Sequence, residues 1–325
     1  MKVGVVGGGA WGTALAQVAA QGGETLLWSR EPEVAESIAA THENRLFLPG
    51  VPLSERIRPT TDLADLAQCD LWLLVTPAQH MRAVLEAAPP CAAALVLCSK
   101  GIEERSGLLL HAVARQACAE AEVMVLSGPT FAHEVAAGLP TALTLAADDE
   151  EDAEPVRARL ARPEFRIYLS DDVAGAEVGG AVKNVLAIAC GVVEGRGLGQ
   201  NARAALIARG FAEMTRFGLA RGARPETLAG LSGLGDLVLT CSSTSSRNYS
   251  LGKGLGQGRP AAELMADRRT VAEGAFTAPV LRRLAEEEGI DMPIVAAVDD
   301  MLAGRARVDE VLERLLSRPH RPERA

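Results

Sequence analysis

Residues 2–30 read KVGVVGGGAWGTALAQVAAQGGETLLWSR. Val3, Val5 and Val6 make a short β-branched run that ends in glycine, the pattern of a strand buried in a parallel sheet. Gly7, Gly9 and Gly12 follow at G-x-G-x-x-G spacing. Trp11 to Gln21 then reads as a helix of small residues that Gly22 and Gly23 stop, and Glu24 to Trp28 as a second strand. In that context the glycines are expected to bind a dinucleotide. Gly7 turns the chain, Gly9 lets backbone amides approach a pyrophosphate, and Gly12 lets helix and strand pack closely. The flanking strand, helix and second strand give the spacing its weight, since the glycines alone recur by chance.

The residue that reads the cofactor's ribose belongs at the end of the second strand. Arg30 stands there, between Ser29 and Glu31. A guanidinium suits a 2′-phosphate and a carboxylate suits a ribose hydroxyl, so the expectation is NADP(H) preferred and NAD(H) tolerated. Lys2 ahead of alanine-rich sequence also fits a secretory leader, but five glycines between Gly4 and Gly12 would break its apolar region.

The 325 residues are enough for two domains, and 48% hydrophobic with 23% charged residues is ordinary for a globular protein. No uncharged apolar run reaches the roughly 18 residues of a membrane span, so no stable membrane insertion is expected. A net charge of −9 argues against nucleic acid as a partner. The six cysteines form no C-x-x-C pair and sit mostly in apolar segments. They are expected as free buried thiols in a cytoplasmic protein, and no metal site is expected. The oligomeric state is not legible, and a homodimer is compatible with the chain.

Strand-like runs at Leu71–Val75, Leu95–Cys98, Val123–Leu126, Thr141–Leu145 and Arg166–Leu169 alternate with helical stretches. From Asp171 onward only helical patterns follow. The fold expected is α/β, an N-terminal Rossmann-like doubly wound parallel sheet over 1–170 followed by an all-α C-terminal domain over 171–325. Asp171 and Asp172 stand where they can cap the first helix of that second domain. Ligands on such sheets bind beyond the carboxyl ends of the strands, where Arg30, Pro77, Lys100 and Gly128 to Thr130 fall.

Among 33 basic residues only Lys2, Lys100, Lys183 and Lys253 are lysine. This chain writes a generic cation as Arg, so an internal lysine is a candidate for proton transfer, which Arg does not perform. Lys2 begins the chain and Lys253 is expected in a glycine-rich loop; Lys100 and Lys183 remain. Lys183 and Asn184 lie in the apolar run Ala181–Ile188, where an ammonium needs a partner or a wet cleft. Such a group protonates the oxygen formed when a ketone receives hydride. The bland reading is a lysine reaching out from a solvated edge. Asp236 is the candidate to pair with it, against the alternative of an ordinary helix cap. Ser242–Asn248 reads as a polar loop whose Arg247 and Asn248 suit a phosphate.

Ser99-Lys100-Gly101, Ser127 to Ala132, Lys183-Asn184, Gly233 to Cys241, Ser246-Arg247-Asn248 and Val271 to Gly274 occur together, in order, with the glycine motif. In this the chain resembles bacterial NAD(P)-dependent glycerol-3-phosphate dehydrogenases over nearly its whole length. The resemblance implies reversible reduction of dihydroxyacetone phosphate, a phosphorylated small molecule, to sn-glycerol 3-phosphate for phospholipid synthesis, with Lys183 as proton donor. It implies that Lys100, Gly128, Thr130, Lys183, Asp236, Ser246, Arg247 and Asn248 surround the substrate. Ala10, Trp11, Arg30, Lys100, Ala132, Arg247, Val271 and Glu273 would touch the cofactor, with Phe47 a further candidate. His133, where a basic residue commonly follows that alanine, and the serine-rich Ser242–Ser245 depart from the pattern. Two other readings compete: a hydroxy-acid or nucleotide-sugar dehydrogenase of the same architecture, the latter needing Cys241 as nucleophile, and a dinucleotide sensor without turnover.

Overall fold

Strand β1 (Val3–Val6) lies inside an eight-stranded sheet, and its four residues are all buried because helices cover both faces. A computed structural model describes residues 1–91, 94–266 and 272–317, and in it the chain divides into two units. Met1–Lys100 with Leu108–Ala176 form one; Gly101–Gly107 with the chain from Glu177 onward form the other.

In the first unit, α1 (Ala10–Ala20), β2 (Thr25–Trp28), α2 (Pro32–Thr41), β3 (Ile57–Thr60), β4 (Leu71–Leu74), α3 (Met81–Ala87) and β5 (Ala94–Leu97) follow β1. Then come α4 (Leu110–Ala117), β6 (Glu122–Ser127), α5 (Ala132–Ala136), β7 (Thr141–Ala146), α6 (Glu150–Leu160) and β8 (Phe165–Ser170). The strand order is β3-β2-β1-β4-β5-β6-β7-β8. Every pairing is parallel except β6 with β7. The order reverses between β1 and β4, which opens the crevice where such sheets take ligands. Alternation along the strands feeds two cores. Val3, Val5, Leu71 and Leu73 pack with Leu15 and Val18 of α1, while Val6, Trp72 and Leu74 pack with Met81, Leu85 and Leu110.

Strand β3 carries no signal in the sequence pattern. It is an edge strand, so only Ile57 of Ile-Arg-Pro-Thr is buried and Pro59 is tolerated. The expectation of six free thiols needs correcting: Cys91 and Cys118 form a disulfide, their Cα atoms 5.9 Å apart. Cys69, Cys98, Cys190 and Cys241 are free and buried.

Helix α7 (Val173–Gly195) carries the chain into the second unit. Asp172 caps it, accepting from the Gly175 amide at 2.8 Å. It is the one helix among the described residues long and apolar enough to cross a membrane, and that window is wholly buried in the protein. A helix apolar on all sides is a core helix here. Around it come α8 (Gly199–Ala220), α9 (Pro225–Ala229), α10 (Asp236–Thr240), α11 (Arg247–Gly256), α12 (Ala261–Leu264), α13 (Glu273–Glu287), α14 (Pro293–Leu302) and α15 (Val308–Leu316). A π-helical turn, Leu231–Gly235, leads into α10.

Lys253, expected in a glycine-rich loop, is on helix α11 instead. Its glycines are a contact stripe: a Cβ on Gly252 would strike the Ile188 carbonyl of α7, and one on Gly191 the Tyr249 carbonyl. The two helices therefore meet backbone to backbone. Side-chain contacts join α8 and the last three helices. Buried Glu213 on α8 accepts from the amides of Ile294 (2.8 Å) and Val295 (3.2 Å) at the start of α14. Its burial pushes that carboxyl up to about 7 against the pull of those amides. Burial also raises Asp300, but Arg314, Arg282 and Arg305 outweigh it and hold the carboxyl at about 2, tying α13, α14 and α15 together.

Candidate active site

The residues singled out from the sequence fall into two groups, one in each unit. In the first unit, Gly7, Arg30, Lys100 and Gly128 stand just beyond β1, β2, β5 and β6, strands that lie side by side with β4 in the sheet. Gly7 has φ +129°, and its amide donates to the Trp28 carbonyl at 3.0 Å. A Cβ on Gly12 would strike the Gly7 carbonyl, so only glycine lets α1 begin against β1. Gly9 is the N-cap of α1 and offers no side-chain cap, while a Cβ built on it meets nothing within 4 Å. The first turn of α1 thus presents backbone donors to open space, an arrangement that suits an anion. Ala10 and Trp11 open that turn half-buried, and Phe47 packs partly buried against the same core.

Asn44 holds this loop from behind. Its amide donates to the Gly8 carbonyl at 2.8 Å and to Thr13 Oγ1 at 2.7 Å, and its oxygen accepts from the Phe47 amide at 3.1 Å. Sequence reasoning passed over Asn44, because nothing local distinguishes it from any loop asparagine. Arg30 is 74% exposed and donates to Glu31 at 2.9 Å, while Glu31 accepts from Ser29 Oγ at 3.2 Å. An ion pair whose guanidinium is so exposed is worth little. Lys100 Nζ donates to the Gly128 carbonyl at 3.3 Å, and Thr130 Oγ1 donates to the same oxygen at 3.4 Å. Ala132 opens α5, half-buried.

In the second unit Lys183 is only 5% exposed, in the middle of α7. Its ammonium pairs with Asp236, which is completely buried, and donates to Thr240 Oγ1 at 3.0 Å. Thr240 Oγ1 lies 3.3 Å from Asp236 Oδ1 as donor. Asp236 and Thr240 stand four residues apart on α10, one above the other on a single face. That four-residue spacing is a signal the sequence itself carries. Leaving either charge unpaired in this setting would cost several kcal/mol, so the pair has to form for the helices to pack.

Ser246, expected in a loop with Arg247 and Asn248, is the N-cap of α11, its Oγ accepting from the Tyr249 amide at 3.2 Å. Arg247 and Asn248 are therefore the first two residues of a helix, where backbone donors and the dipole favour an anion. Arg247 is exposed but crowded. Desolvation presses its pKa below the ordinary value and the Glu273 carboxylate opposes that. Asn248 is buried and donates to Asn184 Oδ1 at 3.0 Å. Glu273 opens α13. Val271 lies outside the described residues. Among the described residues no group of three side chains is placed to hold a metal.

Two family models match the chain: the NAD-dependent glycerol-3-phosphate dehydrogenase N-terminus over residues 2–153 and the C-terminus over 172–313. A glycerol-3-phosphate dehydrogenase (NAD(P)+) of Erythrobacter litoralis is 63% identical over 323 residues, 99% of this chain and 98% of that one. One of Novosphingobium aromaticivorans is 64% identical over 320 residues, 98% of this chain and 97% of that one. The crystal structure of the Coxiella burnetii glycerol-3-phosphate dehydrogenase superposes with a TM-score of 0.93 at 37% identity, covering 98% of this chain and 99% of the other. A ketopantoate reductase of Ralstonia eutropha shares the fold alone, with a TM-score of 0.61 at 16% identity. Both halves of the sequence, its whole length and its fold agree, and the chain belongs to the NAD-dependent glycerol-3-phosphate dehydrogenase family.

Proposed function

We propose that this chain reversibly reduces dihydroxyacetone phosphate to sn-glycerol 3-phosphate, with NADPH preferred to NADH and Lys183 as proton donor. The observation that carries the reading is a buried ammonium held by Asp236 and Thr240 in a chain of this family. A bound nicotinamide cofactor supplies hydride to the ketone carbon. Negative charge then grows on the ketone oxygen, and the Lys183 ammonium stabilises it and gives up a proton to it. Asp236 holds and aims that ammonium, and Thr240 braces the pair. Arg247, at the N-terminus of α11, takes the substrate phosphate with its fork of donors. Phospholipid synthesis in the cytoplasm is the setting this reading implies.

The competing thiol chemistry is disfavoured by the fold. Cys241 is fully buried, and burial together with neighbouring Cys190 pushes its thiol well above the ordinary range, which leaves it a poor nucleophile. Oxidation of NADPH on addition of dihydroxyacetone phosphate tests the reading directly. No turnover with an intact cofactor titration would leave the sensor reading in its place.

Two results should accompany turnover. Arg30→Glu removes a cation and adds repulsion toward a 2′-phosphate, so the KM for NADPH should rise about tenfold or more relative to that for NADH. Equal losses for both cofactors would show that Arg30 does not read that phosphate. Arg247→Ala should raise the KM for dihydroxyacetone phosphate roughly 10- to 100-fold, the range of a lost hydrogen bond to a charged group. Turnover of unphosphorylated dihydroxyacetone, which gives a guanidinium nothing to hold, should barely change. Near-normal kinetics with the phosphorylated ketone would place the phosphate elsewhere.

A further inference from the structure

Helix α13 begins without a cap of its own: Ala272 is its N-cap residue, and no side chain there accepts a first-turn amide. The acceptor comes from another helix. The Gly274 amide donates to Asn248 Oδ1 at 2.9 Å, and Asn248 sits at the second position of α11. Gly274 is the second residue of α13, one of the amides a Ser or Asp N-cap would normally satisfy. The same Asn248 donates through its amide to Asn184 Oδ1 on α7 at 3.0 Å, and it is only 8% exposed. The helices close in around this link. A Cβ on Gly274 would lie 2.5 Å from the Asn184 carbonyl oxygen and 3.0 Å from Asn248 Oδ1. One asparagine thus joins three helices at positions next to Lys183, Arg247 and Glu273.

We propose that Asn248 is a positioning residue for cofactor binding: it caps α13 from α11 and thereby fixes where Glu273 presents its carboxylate. This rests on the reading of Glu273 as a cofactor residue. It assigns Asn248 a role besides the substrate phosphate, because its carbonyl oxygen accepts from the Gly274 amide. The two roles separate cleanly. An asparagine that only held substrate would leave the cofactor affinity of the substrate-free protein untouched.

The test is a fluorescence titration of the full chain with NADPH, without dihydroxyacetone phosphate. Asn248→Leu keeps the size of the side chain and removes both hydrogen bonds. It should weaken NADPH about 3- to 30-fold, the range of a lost cap. Ala272→Ser in that background gives α13 a cap of its own and should restore most of the affinity. Asn248→Leu should also raise the KM for dihydroxyacetone phosphate, and Ala272→Ser should not reverse that, since the link to Asn184 is still missing. If the leucine variant does not fold by its melting curve, Asn248→Ser, too short to reach Gly274, carries the same expectation. Unchanged NADPH affinity in the Asn248 variant, or no recovery with Ala272→Ser, overturns the proposal. Glu273→Gln is titrated alongside: wild-type affinity there overturns the role of Glu273 itself, a failure distinct from that of the cap.

Discussion

Lys183→Arg is expected to lose about 10² to 10⁴ in kcat while still binding NADPH, the range for a removed general acid. The substitution keeps a positive charge, yet the guanidinium does not release a proton near neutral pH. It also has to enter a space bounded by Asp236 and Thr240, where the wild-type residue is 5% exposed. Overpacking of that kind costs about 1–3 kcal/mol, which a chain of this size tolerates. Lys183→Ala should lose turnover at least as far, since it removes the charge as well. Steady-state kinetics beside a cofactor titration separate chemistry from binding. An arginine variant with more than about a tenth of wild-type kcat, against the range for a lost general acid, would reduce Lys183 to an electrostatic anchor. Lys100 would then be the first residue to examine as the acid.

Asp236→Asn is expected to destabilise the second unit strongly. It leaves the Lys183 ammonium in an apolar helix layer facing an amide rather than a carboxylate. Breaking a buried pair from one side costs about 3–5 kcal/mol, because the remaining charge stays desolvated. Urea unfolding at neutral pH should show the loss as a lower midpoint, and turnover should fall with it. Thr240→Val removes both the hydrogen bond from the ammonium and the one Thr240 donates to Asp236, and should cost at least about 1.5–3 kcal/mol. A control sets the two origins apart. The double change Lys183→Met with Asp236→Leu removes both charges and should be inactive yet more stable than Asp236→Asn alone. An unfolding midpoint for Asp236→Asn equal to that of wild type would show that the pair is not desolvated as the burial of both residues implies.

The amino-acid sequence by itself determined the frame of the first unit, from physics that is local. Residues such as Val3, Val5 and Leu71 to Leu74 are apolar on both alternating faces because both faces of their sheet are covered. Gly7 and Gly12 are glycine because the chain must turn and pack closely within six residues, and Gly9 between them faces open space. The family followed from motifs of the same short range, and Lys183 stood out because an ammonium in an apolar helix is conspicuous wherever its partner lies.

What lay beyond local reach was left to the tertiary structure. Strand β3 is an edge with one buried residue, so no periodicity marks it. The joining of Cys91 to Cys118 depends on where α4 ends relative to β5, which no spacing encodes. Lys183 and its carboxylate are 53 residues apart, Asn44 reaches back 36 residues to Gly8, and Asn248 reaches 26 residues forward to Gly274. Periodicity records which side of a helix or strand is buried. It does not record which other helix arrives there, because that depends on crossing geometry, and glycines such as Gly191 and Gly252 set it through how closely two backbones can approach.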